Sequence, residues 1–191
     1  MSEVLFRLNS HSINRTIGEP AMGMDVIGTN PTTPVGEYFR RNVWGWRPLW
    51  NYCLETFEVS NAVEGHYNNG DGLDERGALL LAKQIRESLA TGDAERYIAE
   101  RNETLANLER PTCRYCEGTG IRTDEVGVKS GQPERELSPE MASLTGRTHG
   151  FCNGCSGEGK TDHWETNYQM DIEDIKEFAD FLEHSGGFQI C

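Results

Sequence analysis

The chain has 191 residues, of which 36% are hydrophobic and 26% charged, with a formal net charge of −13. That length and apolar share suit one domain carrying a smaller module, with enough material for a core. The negative charge repels phosphate backbones and anionic lipid surfaces, which argues against a general nucleic-acid or membrane-surface binder.

No run of about 18 apolar residues occurs, so no spanning helix is predicted. Residues 1–20 are polar, end in Gly18-Glu-Pro20 and read as a tail without a secretory signal. Six cysteines in such a chain point to a reducing, cytoplasmic setting and to metal or free thiols rather than disulfides.

The first element predicted is a short strand, Met24 to Gly28, closed by the proline-bearing loop TNPTTPVGE. Next comes YFRRNVWGWRPLW, the one locally basic and aromatic stretch of an acidic chain. Its Arg40, Arg41, Trp44, Trp46 and Arg47 are candidates for a partner-binding surface, because Trp, Tyr and Arg dominate interface hot spots. The alternative is that the tryptophans are core and the arginines pair with carboxylates. Such a patch also serves a self-interface, so a homo-oligomer stays open. Pro48 suits a first helical turn, and Leu49, Cys53 and Phe57 recur every four residues, predicting a helix over about 48–59.

HYNNGDGLD is a polar loop. A calcium-loop reading fails, since Tyr67 and Ala78 would fall at ligand positions. Asp74 instead caps a helix over GALLLAKQIRESLA, with Leu81, Ile85 and Leu89 on one face and Gly92 at its end. Asp93 is expected to cap a third helix that Pro111 stops. HWETNYQM alternates, predicting a strand with Trp164, Thr166, Tyr168 and Met170 on one face. Asp171 caps a last helix, where Ile172, Ile175, Phe178, Ala179 and Leu182 form the apolar stripe. Ser185-Gly-Gly187 stops it and FQIC is a final strand. From Asp162 onward stand eight acids and one base, and the outer face of that helix is acidic.

The strongest motif occurs twice: CRYCEGTG from Cys113 and CNGCSGEG from Cys152. Both read C-x-x-C-x-G-x-G. Two intervening residues let a tight turn hold two sulfurs about 3.7 Å apart, the edge of a tetrahedron with Zn–S near 2.3 Å. The glycines allow positive φ and close approach of backbone to sulfur. Cys113, Cys116, Cys152 and Cys155 are therefore the predicted ligands of one zinc ion per chain, in a closed structural site. His149 and His163 are read as surface residues. A redox dithiol is disfavoured, because Gly118 and Gly120 are poor helix starters.

The repeat resembles the cysteine-rich zinc finger of DnaJ-type chaperones and is similar to small bacterial regulators with a single half-finger. The resemblance implies a zinc-bound hairpin that presents a surface to proteins. Only two copies stand where the chaperone has four, and no His-Pro-Asp motif of a J-domain occurs, so chaperone activity is not implied. The Met-Asp strand followed by Tyr-Phe-Arg-x-Asn-x-Trp is also similar to bacterial and phage proteins, a likeness that implies no activity.

The expected fold is α+β: a small sheet packed with several helices, with body residues 21–111 and 163–191 and a zinc-bound β-hairpin inserted over 112–162. The preferred function is a non-enzymatic protein-binding module with a protein partner. Two alternatives stand beside it. One is an acidic inhibitor, encoded by a phage or mobile element, that blocks a nucleic-acid enzyme. The other is an enzyme with a cleft near the Trp/Arg stretch. No nucleophile elbow, phosphate-binding glycine loop or H-E-x-x-H motif supports the enzyme reading.

Overall fold

In the computed structural model, residues 23–147 and 149–191 are described. The tail expected over 1–20 lies outside them. β1 (Gly23–Gly28) buries Met24 and Val26 and turns Asp25 and Ile27 outward, the two-residue period of a half-buried strand. It is the central strand. β2 (Tyr38–Asn42) and β3 (Phe188–Ile190) flank it, both antiparallel, and Val26 pairs with Phe39 on one side and Ile190 on the other. The outer face of the sheet is wet: Asp25 lies opposite Arg40 at 3.6 Å, and the Tyr38 hydroxyl donates to Asp25.

Four helices complete the body: α1 (Val43–Thr56), α2 (Glu75–Thr91), α3 (Asp93–Ala106) and, after the cysteine-bearing segment, α6 (Ile172–His184). Their ends follow capping chemistry. Asp74 accepts from the Gly77 N–H at 2.8 Å, and Gly92 closes α2 in the left-handed conformation. Asp171 accepts from Glu173 and Asp174 N–H while Asp174 reaches back to the Asp171 N–H, a full capping box. Asp93 sits one residue inside α3 rather than before it and binds Thr91 and Arg96.

The core is aromatic. Trp46 and Trp50 stack at 5.6 Å, and Phe178 of α6 meets Phe39 at 5.1 Å and the Trp46 ring edge-on at 5.6 Å. The Trp46 indole N–H donates to the Gly65 carbonyl at 2.6 Å. Gly65 is required there, since a Cβ would stand 2.1 Å from the Trp50 ring. Cys53 is buried in the same core, which pushes its thiol up.

Three expectations need correction. The helix predicted from Pro48 starts five residues earlier, because the Asn42 side chain accepts from Gly45 N–H and sets the first turn; Pro48 lies inside α1. Residues 38–42, read with the aromatic stretch, form β2. The strand predicted over 163–170 is absent. Residues Trp164–Asn167 make a 3-10 turn instead, since local side chains satisfy its backbone: Thr166 Oγ1 donates to the His163 carbonyl at 2.7 Å and Asn167 Nδ2 to the Trp164 carbonyl at 3.0 Å.

The acidic face of α6 is tied down from two sides. Arg41 of β2 donates to Asp174 and Glu177, and Arg86 of α2 to Asp180 and Glu183. Arg86 holds the Glu183 carboxyl below its ordinary 4.5, against the opposing effect of burial. A carboxyl lowered on folding adds stability above its unfolded value, and loses it as pH falls through the folded one. Unfolding midpoints should therefore drop on acidification below about pH 4.5. Arg86→Gln should flatten that part of the profile, as thermal melts across pH would record.

Candidate metal centre

Between α3 and α6 the chain leaves the body and returns to it at one place. Thr161 N–H donates to the Pro111 carbonyl at 3.0 Å, and Thr112 bridges Lys160. The segment between them is less regular than a hairpin. Glu136 bridges His149, and two short helices, α4 (Glu125–Lys129) and α5 (Pro139–Thr145), are capped by Asp124 and Ser138. Its buried apolar cluster consists of the four cysteines themselves, separate from the core of the body.

The two cysteine motifs fold alike. Glu117 and Ser156, each following its second cysteine, hold φ of 48° and 50°, and Gly118 and Gly157 follow at 87° and 80°. This left-handed pair turns the backbone over the sulfur. Gly120 N–H then donates to Cys116 Sγ at 3.3 Å and Gly159 N–H to Cys155 Sγ at 3.2 Å. The knuckles also grip each other reciprocally: Cys113 N–H donates to the Gly159 carbonyl at 2.8 Å, and Cys152 N–H to the Gly120 carbonyl at 2.7 Å.

The sulfurs converge. Cys113 and Cys152 Sγ lie 3.9 Å apart, Cys116 and Cys155 Sγ 3.6 Å apart, and all four fall within 4.8 Å of one another. Around a tetrahedral ion with metal–sulfur bonds near 2.3 Å, sulfurs stand about 3.7 Å apart, so the set fits one metal ion. All four are buried, so no position is left for water or substrate. Among the described residues this is the one group of three or more ligand side chains placed to hold a metal.

The electrostatics favour a cation at the centre. At Cys113 burial opposes ionisation, but N–H groups of Tyr115 and Cys116 aimed at the sulfur outweigh it with its thiol neighbours and bring the thiol down to about 7. Burial, reinforced by the neighbouring thiols, pushes Cys152 up to about 12 and raises Cys155. Cys113 thus gives up its proton readily while Cys152 and Cys155 resist, as interacting thiols do until a cation compensates their charge.

Gly159 closes the motif at positive φ, and a Cβ there would stand 2.3 Å from the Gly118 carbonyl oxygen. Gly159→Ala should therefore part the knuckles and weaken metal binding by about 10- to 100-fold, the range for disturbed ligand supports. Competition with a chromophoric chelator measures it.

Tyr115 links the knuckles further. Its ring packs against Gly154, and Arg122 and Arg114 lie over it at 4.5 and 4.8 Å. His163, beside the second motif, accepts from the Glu165 N–H in the 3-10 turn and is no ligand.

The five residues expected to bind a partner have different surroundings. Trp46 is fully buried, so it is core. Arg41 is bound to α6 and Arg40 faces Asp25. Trp44 is 41% exposed and packs on Tyr168 at 4.8 Å, and Arg47 is exposed. A cleft does lie near this stretch. It runs between α1, α3 and the 3-10 turn and includes Arg47, Arg101, Trp164 and Tyr168, without Trp46. Sequence reasoning missed Trp164 and Tyr168 as cleft residues because the alternation of HWETNYQM suggested a strand.

No helix among the described residues is long and apolar enough to cross a membrane. No protein family, curated protein or solved structure matches this chain, so the geometry of its four thiols carries the functional argument.

Proposed function

We propose that the chain is a cytoplasmic, non-enzymatic protein-binding module. One structural zinc ion, held by Cys113, Cys116, Cys152 and Cys155, keeps residues 112–162 in shape. The observation that carries the reading is the closed, buried set of four sulfurs at tetrahedral spacing. Four thiolates without an open position suit a structural ion, and zinc is the common occupant of such sites. The two matching knuckles support a likeness to the DnaJ-type finger in shape.

The held unit offers a surface for a partner. α4 and α5 expose Val126, Val128 and Leu144, at 55%, 60% and 81%. These are large apolar side chains on short helices that the metal holds out. Of the Arg/Trp stretch, Trp44 and Arg47 remain exposed and available to a partner. The ion pairs that occupy Asp174, Glu177, Asp180 and Glu183 weigh against the alternative of an acidic inhibitor built on α6.

Elemental analysis of purified protein should find one zinc per chain. Affinity capture from the native host should recover a partner that Val126→Asp with Val128→Asp and Leu144→Asp loses while zinc content is unchanged. Full-length folded protein without metal sinks the zinc assignment. Capture unaffected by the three aspartates moves the partner surface elsewhere.

A further inference from the structure

We propose that the cleft between α1, α3 and the 3-10 turn is a binding site for a flat aromatic ring carrying one anionic group, a phosphate or a carboxylate. This reading goes beyond the zinc unit and does not depend on it.

One wall is aromatic. Trp164 is 59% exposed although it is the largest side chain type, and it meets Tyr168 edge-on at 5.7 Å. Tyr168 is backed in turn by Trp44 at 4.8 Å, so the wall is fixed from behind. An exposed indole held in this way presents a stacking face for a ring.

The other wall is cationic. The chain has 31 acids against 18 bases, and Arg40, Arg41, Arg86, Arg110 and Arg122 each find a carboxylate. Arg47 and Arg101, both in the cleft lining, do not. Arg47 makes no hydrogen bond or ion pair among the described residues. Arg101 donates from Nη2 to the Tyr168 carbonyl at 2.5 Å, and its Nη1 is buried without a partner. The Arg101 side chain borders the cleft with no carboxylate bound to it among the described residues, so its positive charge is available to an anion there. Glu165 is the one carboxylate in the lining, so the cleft carries a net charge near +1, matched to a ligand with a single anionic group. Its volume of about 300 Å³ fits a one- or two-ring compound, at the small end of ligand sites. Thr104 in the same lining donates its hydroxyl to the Glu100 carbonyl at 2.9 Å, which leaves its oxygen to accept from a ring N–H.

Isothermal titration of the whole zinc-loaded chain tests this with AMP and indole-3-acetate, against neutral adenosine and indole and against inorganic phosphate. At least one ring anion should bind below about 1 mM, and its neutral counterpart and inorganic phosphate at least about tenfold more weakly. AMP alone would identify a nucleotide source and indole-3-acetate alone an aromatic acid; either supports the shared chemistry. Arg47→Gln removes an exposed side chain that makes no hydrogen bond or ion pair among the described residues and should lower affinity about tenfold. Trp164→Leu should do the same through lost stacking. If Trp164→Leu fails to fold, Arg47→Gln decides. No binding by either ring anion, equal binding of the neutral compounds, or full affinity in Arg47→Gln overturns the proposal.

Discussion

Cys155→Ser is expected to yield protein that carries no stoichiometric metal, with residues 112–160 exchanging amide hydrogens freely and α2 and α6 still protected. A hydroxyl replaces a thiolate in a closed set, and three sulfurs leave the ion an open, wet position. The loss is large because, among the described residues, the unit has no buried apolar core apart from the cysteines. Its buried apolar cluster is the four cysteines, and α4 and α5 are only five and seven residues long. Helices of that length do not stand alone in water. With zinc as the proposed ion, the apparent free energy of such a site, about 10–16 kcal/mol, becomes folding free energy of this unit. The body has its own core, from Met24 to Ile190, to which no ligand cysteine contributes. Elemental analysis with hydrogen exchange resolves the two parts. Unchanged protection across 112–160 in metal-free protein defeats the prediction.

The second large effect belongs to the body. Phe178→Ala should destabilise it by about 3–5 kcal/mol in chemical denaturation, with the zinc content intact. Phe178 is fully buried, and its ring lies within 6.5 Å of those of Phe39, Trp46, Trp50, Phe181 and Phe188. It thus joins the sheet, α1 and α6 at one point. Truncation leaves a cavity among rigid rings, which relax poorly around it. Phe178→Leu, which keeps most of the volume, should cost well under half as much. A loss below about 1 kcal/mol for the alanine variant would show that the core collapses around the gap.

The parts that were legible in the sequence are those whose cause is local. Asp74, Gly92 and Asp171 mark helix ends through their own side chain or missing Cβ, and the structure places all three at helix boundaries. The clustering of the four cysteines was readable because a repeated spacing encodes a repeated turn, and both turns hold left-handed residues at the same two positions. What failed depended on distant partners or on competition. Phe39 alternates with Arg40 and Arg41 as a strand should, but the alternation was hidden inside an aromatic stretch. Only the pairing with β1 identifies it as β2. Pro48 signals a first helical turn, yet the Asn42 cap lies upstream of it. HWETNYQM has the period of a strand, and the hydroxyl of Thr166 and amide of Asn167 override it. The Arg/Trp stretch held two roles at once. Trp46 and Trp50 are core, whereas Arg47 looks into the cleft, and composition alone does not separate neighbours on a helix.

The central place of β1 has a consequence for synthesis. Val26 waits for Ile190, and the Trp46–Trp50 stack waits for Phe178, so the body cannot close while residues 178–190 are still inside the ribosome. The knuckles have their last ligand at Cys155 and their last clasp at Gly159, before any residue of α6 has been made. Vectorial translation thus completes the cysteine unit before the aromatic core. Metal scarcity would then act on the nascent chain, while Trp46 and Trp50 still lack the ring that covers them.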